Sequence, residues 1–186
     1  TRALLIDANN PSLVFAGGVS GGLWRSDDNG ANWATLNDAA ANLSVTSITQ
    51  SPFNPNFMYY GTGEFRGNTA DVPGEGIFAS FDGGTSFYQL PTTINNPDFE
   101  FIYKVEHDFL ANYKLYVGTK SGGCYRTVNA GLTWTQVHST GRVQDILCLP
   151  DGSVLLGISG KGIFRSPNGS TGTFVKIADP DLLTSM

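Results

Sequence analysis

The sequence predicts an all-β fold built from consecutive four-stranded antiparallel units. One short block of polar residues, glycine and an aromatic residue recurs four times, and each copy lies between two short apolar runs. No segment carries an apolar stripe with the 3.6-residue period of a helix. Glycine accounts for 23 of the 186 residues and aromatic residues for 12%, a composition typical of strands joined by tight turns.

The recurring block defines the repeat. Its copies are SDDNGANW from residue 26, SFDGGTSF from 80, TVNAGLTW from 127 and SPNGSTGTF from 166. They follow one another at intervals of roughly 40 to 50 residues, which is the period of β-propeller blades.

The segments around each block predict the four strands of a unit in order. A first strand and a turn such as NNP, FNP or PDG lead into a second strand that ends near glycine. A loop follows, then a third strand, the block and a fourth strand. The first strands are ALLID, TSITQ, YKVEH and QDILCL, and the second are SLVFAGG, FMYYGTG, KLYVGTK and VLLGIS. The third strands are GLWRS, GIFAS, GCYRT and GIFRS, and the fourth are WATL, FYQL, WTQV and FVKI.

Four strands per unit at this period predict four blades of a β-propeller, within one segment that spans residues 1–186. We expect the blades at about residues 1–37, 44–91, 101–138 and 142–178. The remaining 179–186 would begin a further blade or form a tail.

The block resembles the Asp box, or BNR repeat, S-x-D-x-G-x-[ST]-W, of sialidase-like and sortilin-like propellers. The same box occurs in xyloglucan-cleaving glycosidases and in many secreted bacterial proteins. The third copy has Asn in place of Asp, and the fourth is stretched by one residue. The matching residues are Ser26, Asp28, Gly30 and Trp33; Ser80, Asp82, Gly84 and Phe87; Thr127, Asn129, Gly131 and Trp134; and Ser166, Asn168 and Phe174.

We interpret the block as a structural brace of a hairpin rather than as a catalytic site. A tight hairpin leaves backbone N–H groups without ladder partners, and a short Asp or Asn side chain can accept their hydrogen bonds. Two copies have Asp and two have Asn, so the oxygen acceptor rather than the charge is the common feature. We expect the terminal aromatic ring to pack inward. Asp28→Ala should destabilise the fold, whereas Asp28→Asn should be mild.

Other motifs lack the context that their chemistry requires. Residues 25–30 approach a calcium loop but place Arg25 at the first ligand position. Residues 18–22 fit G-x-S-x-G, and residues 74–79 resemble a dinucleotide-binding motif, yet both lead into strands rather than helices. His107 and His138 stand alone. We therefore predict neither a metal site nor a cofactor.

The loops opposite the blocks are the candidate site. In a four-stranded meander, the loop between the second and third strands and the link to the next blade lie at one end, which we call the loop face. The largest insertion, residues 61–76, supplies the predicted binding residues Glu64, Arg66, Asp71 and Glu75. The links between blades add Asp38, Asp98 and Glu100. The alternative is that this insertion only covers apolar surface or contacts another blade.

Charge and composition exclude several classes of partner. Acidic residues outnumber basic ones by 16 to 11, and the basic residues are scattered, which argues against nucleic acid. No apolar run is long enough for a membrane span. We expect Cys124 and Cys148 to be buried free thiols.

Three functions remain open. The first is a non-catalytic secreted or cell-surface module that binds a protein or glycan through the loop face. The second is part of a glycoside hydrolase, sialidase-like or xyloglucanase-like, with the remaining catalytic residues outside this chain. The third is a structural repeat segment of a large adhesin or assembly factor. The resemblance implies an extracellular location for all three. It also implies more than four blades in the closed propeller, so we expect the chain to be an arc of a larger ring.

The resemblance also implies which catalytic residues an enzyme of this kind would need. Sialidases use an arginine cluster, a Tyr nucleophile backed by Glu, and an acid/base Asp, whereas the rim predicted here has only Arg66 and Arg142 with Lys120 and Lys161. Xyloglucan-cleaving relatives use two carboxylates. Asp71 or Glu75 could supply one of them. We therefore favour a module without catalytic activity.

Overall fold

The computed structural model describes residues 1–36, 43–65 and 71–179, which form four four-stranded antiparallel sheets. The predicted all-β blade architecture is therefore confirmed. The strands are β1 Ala3–Ile6, β2 Val14–Gly17, β3 Leu23–Ser26, β4 Ala34–Thr35, β5 Val45–Gln50, β6 Met58–Thr62, β7 Ile77–Ser80, β8 Tyr88–Gln89, β9 Ile102–His107, β10 Leu115–Thr119, β11 Cys124–Thr127, β12 Thr135–His138, β13 Val143–Cys148, β14 Val154–Ile158, β15 Gly162–Ser166 and β16 Val175–Ala178. Two short 3-10 turns, Pro91–Thr93 and Pro97–Phe99, lie in the link between the second and third sheets.

Each sheet is a meander in which strands pair in chain order, so β1 to β4 form sheet 1 and β13 to β16 form sheet 4. The first strands of successive sheets contact one another, β1 with β5, β5 with β9 and β9 with β13. This arrangement places the first strands around a common axis and the short fourth strands at the outside. No helix among the described residues has the length and apolar character that a membrane crossing requires.

The core consists of three apolar layers, one between each pair of adjacent sheets. Phe15 and Tyr60 meet between sheets 1 and 2, and Ile77 lies in the layer between sheets 2 and 3. Cys124 and Cys148 belong to the layer between sheets 3 and 4. Both cysteines are buried and free, as expected. Complete burial of one large apolar side chain contributes about 1.5 to 3 kcal/mol, so these layers hold the sheets face to face.

Hydroxyl side chains of β5 add hydrogen bonds to the backbone of β9. The Thr46 hydroxyl donates to the Ile102 carbonyl at 2.6 Å. The Ser47 hydroxyl accepts from the Val105 N–H at 3.0 Å, and Thr49 accepts from the His107 N–H at 3.3 Å. Sheets 2 and 3 are therefore joined along the axis by polar contacts as well as by apolar packing, a feature that the sequence analysis did not foresee.

Glycines near the ends of the second strands permit the close approach of the next sheet. A Cβ on Gly17 would lie 2.5 Å from the Val45 side chain, and one on Gly61 would lie 2.5 Å from that of Ile102. These distances are too short for any real contact, so glycine at these positions of sheets 1 and 2 is a packing requirement between neighbouring sheets.

Candidate functional site

The four blocks form hydrogen-bonded hairpins between the third and fourth strands, which we call the box hairpins (residues 26–33, 80–87, 127–134 and 166–174). In the second hairpin, Asp82 Oδ1 accepts from the N–H groups of Thr85 and Ser86, both at 3.0 Å, and from the Ser80 hydroxyl at 2.7 Å. The Ser80 oxygen in turn accepts from the Gly84 N–H at 2.9 Å. The carboxylate thus makes its contacts within its own hairpin.

Asn129 makes the same contacts in the third hairpin. Its Oδ1 accepts from the Thr127 hydroxyl and the Thr133 N–H, both at 2.9 Å. Its Nδ2 donates to the Thr133 hydroxyl, also at 2.9 Å. In the fourth hairpin, Asn168 Oδ1 accepts from the Ser170 N–H at 3.0 Å. An amide therefore fits where the other copies have a carboxylate.

The carboxylates of the first two hairpins are stabilised in their charged form. Hydrogen bonds from the backbone and side chain of Asn32 and from Ser26 lower the pKa of Asp28 to about 2. Burial acts to raise the pKa of Asp82, but hydrogen bonds from Ser86, Ser80 and Thr85 outweigh it and lower the pKa to about 2. Neither carboxyl group is suited to donate a proton near neutral pH.

The terminal aromatic rings follow the expectation of inward packing in three hairpins. Phe87 contacts Tyr60 with ring centroids 5.1 Å apart, and Trp134 contacts Phe99 at 5.2 Å. Phe174 packs against the layer between sheets 3 and 4. The expectation is wrong for Trp33, which is 39% exposed and donates from Nε1 to the Gly30 carbonyl. Each of these three partly buried rings packs toward the preceding sheet, and within the described residues no sheet precedes sheet 1.

At the loop face, the starts of the first strands and the second-to-third loop of sheet 2 enclose a cleft of about 660 Å³, which we call the axial cleft. Thr46 lies in β5, Tyr103 in β9 and Gln144 in β13, so three neighbouring sheets supply its walls. The cleft is lined by Arg2, Thr46, Gly63, Glu64, Phe65, Tyr103, Arg142 and Gln144.

Two cations converge on one aromatic ring at this cleft. Lys120 Nζ lies 3.6 Å from the centroid of Phe65 and 4.3 Å from that of Phe101. The guanidinium carbon of Arg142 lies 5.0 Å from the centroid of Phe65. The Tyr103 hydroxyl donates to the Phe65 carbonyl at 3.2 Å. Burial raises the pKa of Tyr103, and the adjacent Arg142 guanidinium opposes that rise.

The structure places the predicted binding residues in two locations. Glu64 lines the axial cleft and forms an ion pair with Arg2. Asp71 precedes Val72, which pairs with Glu64 through two backbone hydrogen bonds, and its charge acts on Tyr103. Glu75 lines a separate cavity of about 340 Å³ together with Asn96, Glu100 and other residues of the link between sheets 2 and 3.

Three other candidate residues of the loop face have different outcomes. Asp98 accepts a hydrogen bond from the Tyr125 hydroxyl at 2.6 Å, so it stabilises the link between sheets rather than facing the axial cleft. Arg66 and Asp38 lie outside the described residues. In the part of the chain that the structure describes, no three His, Cys, Asp or Glu side chains are grouped as a metal site would require.

Sequence reasoning missed several cleft residues. Arg2, Thr46, Tyr103 and Gln144 carry no motif, and they come together only because the first strands of different sheets surround one axis. An alignment of the residues at the starts of the four first strands would have grouped them. Phe65 was missed because an aromatic residue in a charged loop gave no signal of its own.

A second group of missed residues lies further along the first strands. Lys104 Nζ is 3.3 Å from Glu106 Oε2 and 3.9 Å from Asp145 Oδ1, so an ion-pair network joins sheets 3 and 4. Burial raises the pKa of Glu106, and Lys104 opposes the rise. Because Lys104 contacts both carboxylates, this group links the two sheets.

Comparison with known proteins supports the fold and shows sequence similarity to one kind of enzyme. No protein-family model matches the chain. Xyloglucanase Xgh74A of Acetivibrio thermocellus is 28% identical over 146 residues, which cover 73% of this chain and 17% of that enzyme. The chain therefore spans about a sixth of the length of the curated relatives it matches.

Solved structures agree on the architecture. An ancestral GH74 enzyme superposes with a TM-score of 0.75 at 21% identity, over 97% of this chain and 24% of that one. YCF48 bound to D1 peptide superposes with a TM-score of 0.62 at 19% identity, over 91% of this chain and 51% of that one. The chain has a β-propeller fold. The resemblance to sialidase-like Asp-box proteins stays an interpretation of the four blocks.

Proposed function

We propose that this chain is part of the propeller of a glycoside hydrolase, in which the axial cleft binds the polysaccharide substrate. The observation that carries the proposal is the similarity to a xyloglucanase over 146 residues. The superposition on a GH74 enzyme supports it through the fold. These two comparisons support a glycoside hydrolase better than the module without catalytic activity that the sequence alone favoured.

The chemistry of the axial cleft suits a sugar chain. Hydroxyl and amide groups of Thr46, Tyr103 and Gln144 can exchange hydrogen bonds with sugar hydroxyls, and Phe65 supplies an aromatic ring. A volume of about 660 Å³ is within the usual range for ligand sites. An open cleft at the axis would allow a long polymer to enter.

The catalytic carboxylates would come in part from outside this chain. Glycoside hydrolysis requires two carboxyl groups on either side of the scissile bond. Glu64 is held by Arg2, which favours binding over proton transfer. Asp71 or Glu75 would supply one carboxylate, and a neighbouring part of the protein would supply the other. The box hairpins act as braces in this proposal, and the protein is exported to reach its polysaccharide.

Binding by the 186-residue chain tests the proposal. We expect xyloglucan in a native gel to retard the chain, and Tyr103→Ala to abolish most of the retardation. Tyr113→Ala is the matched control, because Tyr113 is 51% exposed and lies in the first hairpin of sheet 3, away from the cleft. Absence of retardation by xyloglucan, by other neutral β-glucans and by acidic polysaccharides would end the proposal.

A second candidate is a non-catalytic module that binds an extended peptide. The superposition on YCF48 with a bound D1 peptide favours it. Binding of peptides at the cleft, without binding of any glycan, would select this candidate. Binding of neither class would leave the structural repeat segment of an adhesin or assembly factor.

A further inference from the structure

Two cations lie at the axial cleft: Arg142 lines it, and Lys120 contacts the ring of Phe65, which also lines it. Among residues 1–36, 43–65 and 71–179, neither Lys120 nor Arg142 forms an ion pair with a carboxylate, whereas Arg2 is paired with Glu64. The chain as a whole carries a formal net charge of −5. Two unneutralised cations at one cleft of an acidic protein therefore mark a local positive site.

The positions of these cations are fixed by the rings beneath them. Lys120 Nζ contacts the faces of Phe65 and Phe101, which themselves meet edge to face with centroids 5.6 Å apart. Arg142 approaches Phe65 and the Tyr103 hydroxyl. Such cation–π contacts are attractive but leave the charge of the cation intact, so they hold the charges in place without neutralising them.

Arg142 does not fit a purely structural role. A cation that only held the loop in place would be enclosed, but Arg142 is exposed and lines the open cleft. Its guanidinium can donate to an anion while it remains over the ring, and planar guanidinium groups bind carboxylates with two parallel hydrogen bonds.

We infer that the axial cleft binds a carboxylate-bearing glycan, with Arg142 and Lys120 holding the carboxylate and Thr46, Tyr103 and Gln144 facing the sugar hydroxyls. This inference rests on the proposed function and narrows its substrate class to acidic polysaccharides, such as those containing uronic acids. A glycan is favoured over an acidic peptide because neutral hydroxyl and amide groups line the same cleft as Arg142.

Calorimetric titration with trigalacturonate tests the inference. We expect it to bind the 186-residue chain more tightly than a neutral xyloglucan oligosaccharide. Arg142→Gln and Lys120→Gln should each weaken binding about fivefold, since a partly exposed ion pair contributes about 1 kcal/mol. Arg142→Lys should keep part of the affinity. Binding should also weaken as salt is raised, because screening acts on exposed charges.

Two variants serve as controls. Arg165→Gln removes an exposed cation that pairs with Asp151 on sheet 4, away from the cleft, and should leave binding unchanged. Asp71→Asn removes a negative charge that acts on Tyr103 and should strengthen binding of the anion. Arg142 is exposed, so its variants should keep the melting temperature of the parent chain.

The possible outcomes separate this inference from the proposed function. Equal affinity for the neutral and acidic glycans, or affinity that Arg142→Gln and Lys120→Gln leave unchanged, overturns the inference while the glycan-binding proposal stands. Binding of oligoglutamate without any glycan overturns both in favour of an acidic peptide. Binding of neither glycan also overturns both.

Discussion

At the residue scale, the box hairpins show why Asp and Asn can exchange. Asp82 and Asn129 each accept a hydroxyl hydrogen and a backbone N–H through one oxygen. The second atom of each side chain contacts the hydroxyl group at the fourth following residue, which donates to Asp82 and accepts from Asn129. A hydroxyl can reverse its role in this way, so the hairpin needs an oxygen acceptor but not a charge.

The first prediction compares Asp82→Ala with Asp82→Asn. The alanine variant leaves the N–H groups of Thr85 and Ser86 without their acceptor, and we expect the free energy of unfolding to fall by about 1 to 2 kcal/mol. The asparagine variant should reproduce the contacts of Asn129 and change the free energy of unfolding by less than about 0.5 kcal/mol. Urea denaturation would measure both.

Asp27→Ala is the control for this comparison. Asp27 is an exposed carboxylate in the first box hairpin that pairs with the Arg25 side chain. Exposed pairs of this kind contribute about 0 to 1 kcal/mol. Equal losses for Asp82→Ala and Asp82→Asn would show that charge, not acceptor geometry, holds the hairpin.

The second prediction concerns pH and His107. The imidazole is buried, its ring lies 5.5 Å from that of Tyr59, and neither ring nitrogen has a hydrogen-bond partner among the described residues. Burial lowers the pKa of His107 to about 4, although the neighbouring Asp108 opposes the change. In the unfolded chain the pKa returns to about 6.5, so the unfolded state binds more protons between these values.

Stability should therefore fall as pH falls from about 6.5 to about 4, by about 2 to 3 kcal/mol, and this contribution should be constant below pH 4. His107→Leu should remove most of the slope in this interval. Burial also lowers the pKa of His138 and contributes a slope of the same sign, whereas the lowered pKa values of Asp28 and Asp82 act at lower pH. Thermal melts of both proteins across pH 4 to 7 would measure the slope. A slope that His107→Leu leaves undiminished would assign the effect to another group.

At the element scale, two glycines in second strands show how contact with a neighbouring sheet constrains a residue of the repeat. Gly61 and Gly157 occupy equivalent places in β6 and β14, opposite Ile77 and Ile163. A Cβ on Gly61 would lie 2.5 Å from Ile102 of the next sheet. On Gly157 the nearest atom would be 3.6 Å away and belongs to Asp145 of the same sheet. The difference is the presence of a following sheet.

The third prediction uses this matched pair. Gly61→Ala should destabilise the chain by about 1 to 3 kcal/mol through overpacking, whereas Gly157→Ala should be neutral or slightly stabilising because alanine restricts the unfolded chain. Neither glycine has a positive φ, so backbone strain does not enter the comparison. Chemical denaturation of the two variants would measure it. A similar loss for both would show that strand propensity rather than packing controls these positions.

Elements were predictable from the sequence because each one carries a local signal. Alternating apolar residues and turn residues marked β1 to β16, and the repeated block marked the hairpins. The axial cleft was predictable only in part. Glu64 was found through the long insertion, but Tyr103 and Gln144 come from separate sheets and meet only in the assembled propeller. Trp33 was expected to pack inward, and it does not because no sheet formed by the described residues covers it.

At the scale of the whole molecule, sheets 1 and 4 each present an apolar outer face. Leu4 is 63% exposed, whereas Ile48 at the equivalent position in sheet 2 is 8% exposed. Ile163 is 42% exposed, whereas its equivalent Ile77 is fully buried. The positions differ only in whether a neighbouring sheet covers them. We therefore predict that further blades cover both faces in the intact propeller.

The last prediction tests these open faces with one pair of substitutions. Ile77→Lys should unfold the 186-residue chain, because an unpaired charge would be buried between sheets 2 and 3. Ile163→Lys should change the free energy of unfolding by less than about 0.5 kcal/mol and should reduce self-association, since large exposed apolar patches promote it. Light scattering and thermal melts would measure both effects. In a longer polypeptide that includes the next blade, Ile163→Lys should become as destabilising as Ile77→Lys. If it stays neutral there, sheet 4 is a true edge of the molecule and the arc does not continue through this face.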